Sequence, residues 1–175
     1  MHKKRIAMAS WEIGYAHTKL GTRVGGMGLV LQELPIEMAK YAESRKKEVE
    51  IEVLSPCFGS YDRSQLYYEG ALWVPHFDLE FEVFSHVFED CKGLKIKHIY
   101  FWNESVLGDI KGEPEPQEIY PSNDWDALRV YTRVSAAMAT YLTITGCYAL
   151  HLHDYHVGFV PFYLDFEAIG NPSIV

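Results

Sequence analysis

The sequence predicts an α/β fold built on a mainly parallel sheet flanked by helices. Three observations carry that reading. The first 56 residues spell a strand, a helix and a second strand. A helix followed directly by a strand returns at residues 124–153. Two polar motifs, Arg23-Val24-Gly25-Gly26-Met27-Gly28 and His151-Leu152-His153-Asp154-Tyr155-His156, each sit where a predicted strand gives way to a predicted helix, the place where open α/β sheets collect ligands.

Residues 5–10 form a short apolar run, as a strand buried on both faces requires, and the polar segment Ser10–Thr22 follows as a long connection. From Met27 the apolar positions 27, 30, 31, 34, 38 and 42 follow the spacing of a helix with one buried face. Pro35 is expected to kink this helix without ending it. The charged stretch Glu43–Glu48 closes the helix, and Val49, Ile51 and Val53 alternate along a second strand running to Pro56. Ala71–Val74, Leu79–Phe84 and Leu94–Trp102 read as further strands, with the clearest alternation at Leu79-Glu80-Phe81-Glu82-Val83. Gly112-Glu113-Pro114-Glu115-Pro116 marks a loop. Asp124 is the expected N-cap of a helix with apolar positions 128, 131, 134, 138, 141 and 142, stopped by Gly146. Ala149–His153 is a strand, residues 157–166 a short aromatic helix, and Ile174-Val175 the opening of one more strand. An apolar strand start makes an odd terminus, so a single domain over residues 1–175, truncated before the next strand, is expected.

A chain of 175 residues with 48% hydrophobic and 14% aromatic residues has enough apolar material for one packed core. Its net charge of −8 would repel nucleic acid and anionic membranes, so neither is an expected partner. Cys57, Cys91 and Cys147 are odd in number and widely spaced, which indicates neither a disulfide framework nor a thiolate zinc site and places the chain in a reducing cytoplasm. No apolar run approaches the roughly 20 residues of a membrane span, and Ile6-Ala7-Met8-Ala9 is too short for the apolar core of a signal segment.

The glycine cluster has the properties of a phosphate cradle. Unpaired N–H groups and the positive end of the dipole meet an anion at a helix N-terminus, and glycine lets the backbone come close. Arg23 adds a charge-assisted contact for a diphosphate. The pattern satisfies neither the P-loop nor the dinucleotide fingerprint, and a tight structural turn would look the same. In the second motif, His151 and His153 face one side of a strand while Asp154 and His156 lie in the turn beyond. Two uses remain open: a metal site on His151, His153 and His156, or a set of hydrogen-bonding groups around a sugar. The order H-x-H-D-x-H transposes the H-x-H-x-D-H ligand set of metallo-β-lactamase-type hydrolases, and the ligand geometry depends on that order.

With both motifs present in this order, the chain resembles the glycogen and starch synthases. Arg23-Val24-Gly25-Gly26-Met27-Gly28, followed by Glu33-Leu34-Pro35-Ile36-Glu37-Met38, is similar to the family's Lys-x-Gly-Gly-Leu loop and Ala-Leu-Pro-x-Ala-Leu helix. His151–His156 is similar to its His-x-His-Asp-Trp-His segment, and Arg129 with Tyr131–Ala137 to the helix between. The resemblance runs from Ile6 to Val175. It implies a Rossmann-like domain, the N-terminal half of a GT-B glycosyltransferase, that transfers glucose from ADP-glucose or UDP-glucose to the non-reducing end of an α-1,4-glucan with retention. It implies no metal or other cofactor. Carried over, Arg23, Gly25 and Gly26 contact the donor diphosphate, His153 binds substrate, and Asp154 and His156 line the reacting centre as catalytic residues. Leu29 stands where the family often has Asp, and Asp126 where Asn is common. The family's second domain completes the donor site, so this chain alone is expected to be silent unless a second chain supplies that half. The rivals are a metal-dependent hydrolase and a non-catalytic glucan-binding remnant.

Overall fold

β1 (Lys4–Ser10) and β2 (Val49–Pro56) pair in parallel, from Lys4 opposite Val49 to Ala9 opposite Leu54, with α1 (Gly26–Ser44) as their crossover. The computed structural model describes residues 4–14, 20–21, 26–89, 93–110, 119–170 and 172–175. The predicted loop at Gly112–Pro116 lies outside the described residues, as do residues 15–19 and 22 of the polar segment after β1. α1 runs unbroken through Pro35, which faces the core with Gly28 and Leu31. The buried stripe is narrower than the apolar spacing predicts, since Val30 remains 41% exposed.

β3 (Tyr67–Val74) and β4 (Leu79–Glu89) form an antiparallel hairpin, and β4 continues antiparallel onto β5 (Lys95–Trp102). β3 starts four residues before the expected Ala71. The register shifts between Tyr68 and Gly70, where Gly70 has a φ of 140°, and this bulge breaks the alternation by which a strand is read. β4 extends five residues past Phe84 because Lys95–Ile99 of β5 pair with Ser85–Glu89, although this segment includes Ser85 and His86. β5 then lies parallel to β2, Glu52 opposite Lys97.

A four-residue α2 (Glu104–Leu107) precedes α3 (Asp124–Thr145). The N-cap of α3 is Asn123, one residue before the expected Asp124; its side chain accepts from the Asp126 N–H at 3.0 Å, which leaves Asp124 and Asp126 in the first turn, where the helix dipole favours them. Ala136, Ala137, Met138 and Ala139 are fully buried, and these mostly small side chains let α3 lie close on the sheet. Gly146 ends it at a φ of 74°.

β6 (Ala149–His153) pairs in parallel with β1, and β7 (Ser173–Ile174) pairs in parallel with β6, as the apolar end predicts. The expected helix at 157–166 is instead three separate turns: a 3₁₀ turn at Tyr155–Val157, α4 (Val160–Tyr163) and α5 (Phe166–Ile169). Pro161 opens α4 with no N–H to join it to the turn before, and Asp165 starts α5 afresh by accepting from the N–H groups of Glu167 and Ala168. Among the described residues the sheet order is β3-β4-β5-β2-β1-β6-β7, with the five strands from β5 to β7 parallel. The α/β, Rossmann-like reading therefore stands. Among the described residues no helix is long and apolar enough to cross a membrane.

Candidate active site at the β1–β6 crevice

The chain leaves β1 toward β2 and β5 on one side of the sheet and returns through α3 to β6 and β7 on the other. The connections after β1 and β6 therefore diverge. They part at a topological switch point at the carboxyl ends of the strands, the place where such sheets form a ligand-binding crevice. The register puts Ser10 beside His153, so the residues that follow each strand face one another.

On the β1 side, the Ser10 hydroxyl donates to the Glu12 carbonyl at 2.9 Å, and the Trp11 indole N–H donates to the Ile119 carbonyl at 3.1 Å. These bonds turn the buried Glu12 carboxylate into the crevice, where it accepts from the Tyr120 hydroxyl. Two residues on, Gly14 lies hard against the first turns of α1: a Cβ there would overlap the Gly28 carbonyl oxygen and come within 2.8 Å of the Gln32 Cβ. Gly14 thus locks the N-terminus of α1 to the β1 connection, and Gly26 opens that helix with nothing within 4 Å of where its Cβ would stand.

On the β6 side, the rings of His151 and His153 lie 4.2 Å apart. His151 is half-buried; His153 is buried, and its Nε2 makes no hydrogen bond among the described residues. Asp154 adopts a φ of 72° and a ψ of 162°, a region almost confined to glycine, which costs on the order of 1–3 kcal/mol and collects at functional sites. Its Oδ1 accepts from the Tyr155 N–H at 2.6 Å, while its Oδ2 lies 3.3 Å from His156 Nδ1, close enough to pair but out of line for a hydrogen bond. The His156 ring is packed among aromatic neighbours, stacked on Trp11 at 6.0 Å and flanked by Tyr120 at 5.0 Å and Tyr131 at 4.9 Å. Its Nε2 also makes no hydrogen bond among the described residues.

Burial sets the electrostatics. It pushes His153 down to about 4, with His151 adding a smaller repulsion. It also lowers His156, against the opposing pull of Asp154 and Glu12. Tyr120 is driven up by burial first and by its bond to Glu12 second, and Tyr131 by burial, Tyr155 and Asp154. At neutral pH the crevice therefore presents a neutral His153 and two protonated phenols beside acidic side chains. Such groups both donate and accept, the chemistry that holds a ring of hydroxyls. Among the described residues no three His, Cys, Asp or Glu side chains are grouped to hold a metal ion.

The family model for the starch synthase catalytic domain matches residues 5–173. The chain belongs to that family. No curated protein matches it. Family membership makes it a glycosyltransferase of the glycogen and starch synthase type, whose substrates are a nucleotide-sugar donor and a glucan acceptor.

Of the predicted synthase site residues, the fold brings His153, Asp154 and His156 together at the crevice, and Gly26 opens α1 on the β1 side. Arg23 and Gly25 lie outside the described residues. Leu29 is 40% exposed. Sequence reading misses Trp11, Glu12 and Tyr120. Glu12 does carry a signal, a carboxylate directly after a buried strand and flanked by Trp11 and Ile13. Tyr120 carries none, because its partner is 108 residues away.

Proposed function

We propose that the β1–β6 crevice is one wall of the donor site of a retaining glucosyltransferase, which moves glucose from a nucleotide-glucose, ADP-glucose first, to the non-reducing end of an α-1,4-glucan. His156 supports this reading most directly. It is 4% exposed, its Nε2 is unpaired among the described residues, and Glu12, Asp154 and Tyr120 surround it. A buried ring nitrogen without a partner costs on the order of 1–3 kcal/mol, which a sugar hydroxyl offsets when it binds. Asp154 and His156 are the proposed catalytic residues at the glucosyl centre, and His153 holds substrate from the end of β6. Arg23, Gly25 and Gly26 take the diphosphate at the N-terminus of the 19-residue α1, where the dipole and free N–H groups favour an anion.

Retaining transfer needs charge placed around both the leaving diphosphate and an oxocarbenium-like carbon. The 175-residue polypeptide offers one wall of that cleft, so it binds donor without turning it over unless a second domain faces it. The test is calorimetric titration with ADP-glucose and UDP-glucose, beside an assay of glucose transfer to glycogen. Donor binding that His156→Ala abolishes, with no transfer, is the expected result. Absence of binding to either nucleotide-glucose refutes the donor wall, and robust turnover by the polypeptide alone refutes the need for a second half.

A further inference from the structure

The end of the sheet far from the crevice holds a polar cavity of its own. Near the amino ends of β1, β2 and β5, a space of about 400 Å³ lies between the last turns of α3 and the sheet. Glu52 lines it and is 1% exposed. One of its carboxyl oxygens, Oε1, accepts from the Tyr141 hydroxyl at 3.0 Å; the other, Oε2, is buried and makes no hydrogen bond among the described residues. Glu50 lines the cavity as well, two residues earlier and so on the same face of β2. The cations here are already engaged. Arg5 donates to the Thr145 and Gly146 carbonyls at the end of α3, at 3.1 and 3.3 Å, and Lys97 pairs with Glu69 at 2.9 Å. Their pull on Glu52 is outweighed by its burial, which raises its carboxyl above the usual range.

We infer that this cavity binds a short aliphatic diamine, one ammonium group held by Glu52 and the other by Glu50. A carboxylate oxygen buried without a partner is costly, and an ammonium N–H supplies the missing hydrogen bond and the opposite charge together. The surroundings select the same class. With Arg5 on the α3 carbonyls and Lys97 on Glu69, the carboxylates of β2 are the uncommitted charge, and the negative end of the α3 dipole adds to them. An anion is therefore repelled where a cation is drawn in. Leu72 and Val83, 7% and 5% exposed, give a methylene chain an apolar wall. Residues two apart on a strand stand about 6.6 Å apart, close to the span of a four-carbon diamine. A metal ion needs several ligating side chains in one group, which the described residues do not provide. The cavity lies at the opposite end of the strands from the crevice, so this inference does not rest on the donor reading.

Calorimetric titration of the 175-residue chain with putrescine tests the site, beside butane-1,4-diol as a neutral probe of the same length. The expected result is one saturable site for the diamine and binding of the diol at least about tenfold weaker. Glu52→Gln keeps the Tyr141 bond and removes the charge; it weakens putrescine binding about tenfold or more while its circular dichroism spectrum stays that of the parent. Glu50→Gln, at a half-buried position, gives a second reading that does not depend on the buried residue: it weakens putrescine and leaves 1-aminobutane unchanged. Glu33→Gln, an exposed carboxylate of α1 that does not line the cavity, leaves putrescine binding unchanged, which separates a site from the general attraction of a chain with net charge −8. Absence of saturable putrescine binding, equal affinity for the diol, unchanged putrescine affinity in either β2 variant, or an equal loss in the Glu33 variant overturns the site.

Discussion

Replacing each of two glycines by alanine separates what α1 does for the fold from what it does for the donor. At Gly14 the new methyl would overlap the Gly28 carbonyl oxygen and stand 2.8 Å from both Cβ and Oε1 of Gln32. The Gln32 amide can swing away, but its Cβ and the main-chain carbonyl move only with the helix. Reaching ordinary contact with that carbonyl oxygen requires a shift of about 1 Å, and forcing such a shift in a packed interface costs typically about 1–3 kcal/mol. The stiffer unfolded chain of the alanine variant returns about 0.4–1 kcal/mol, leaving a net loss of about 1–2 kcal/mol and a melting point lower by about 3–6 °C. At Gly26 a Cβ meets nothing within 4 Å, so Gly26→Ala leaves stability unchanged or slightly higher, alanine being the better helix residue. Its methyl nonetheless stands where the proposed diphosphate approaches, and losing one charge-assisted hydrogen bond there weakens ADP-glucose binding about tenfold or more. Urea denaturation followed by circular dichroism reads the first effect and calorimetric titration the second. A Gly14 variant as stable as the parent would refute the close packing of α1 on the β1 connection, and a Gly26 variant with full donor affinity would refute the cradle.

Asp154→Gly relieves a backbone that only glycine adopts freely; we expect a gain of about 1 kcal/mol in urea denaturation together with weakened ADP-glucose binding, and a loss of stability would show that the backbone is unstrained. His98, fully buried beside Phe88 and Tyr100, is pushed down to about 3 by burial, so the unfolded chain takes up its proton first as pH falls. Stability then drops below pH 6.5 by about 1.4 kcal/mol per unit for this residue, and His98→Leu flattens that slope by one proton in denaturation series from pH 7.5 to 4.5; parallel slopes would count against it. The Glu52 carboxyl is raised by burial although Tyr141 donates to it at 3.0 Å, so the fold favours its neutral form and loses stability as pH rises above the usual carboxyl range. Glu52→Gln keeps the Tyr141 bond and does not ionise; its advantage grows with pH above about 4.5 and vanishes below, and a benefit independent of pH would refute the assignment.

The parts of this fold that the sequence discloses are those marked by a short apolar run or by helical spacing of apolar residues. β1 and β2 are buried without interruption over their second halves, as apolar runs between helices require, and the reading of these strands, β6 and the two long helices errs by one residue at the α3 cap and at Val30 and Leu128, apolar residues that the fold leaves exposed. β3 is only half legible because the bulge at Gly70 swaps the faces partway along, and no local pattern survives such a swap. The turns at 155–169 defeat the helical pattern because Gly158, Pro161 and Asp165 each reset the backbone within a stretch whose apolar residues still look continuous.

The site divides along the same line. His153, Asp154 and His156 are legible because they are local, three polar groups within four residues after a buried strand. Glu12 and Tyr120 meet only because the sheet order reverses between β1 and β6, and a contact across 108 residues leaves no trace in spacing. The strain at Asp154 is equally invisible, since nothing about an aspartate announces a φ of 72°. Yet strain and burial here point one way. A backbone held where aspartate resists it and ring nitrogens of His153 and His156 without hydrogen bonds among the described residues cost stability at neutral pH, the lowered His153 adds a cost as pH falls below about 6.5, and all three fall within four residues at the switch point. The buried stripe of α3, whose Tyr131 ring lies 4.9 Å from that of His156, shows how readily this chain packs when packing alone is at stake. The concentration of cost at the crevice is what a binding site for a hydroxyl-rich ligand requires: groups kept dry and unpaired until the sugar arrives to pair them.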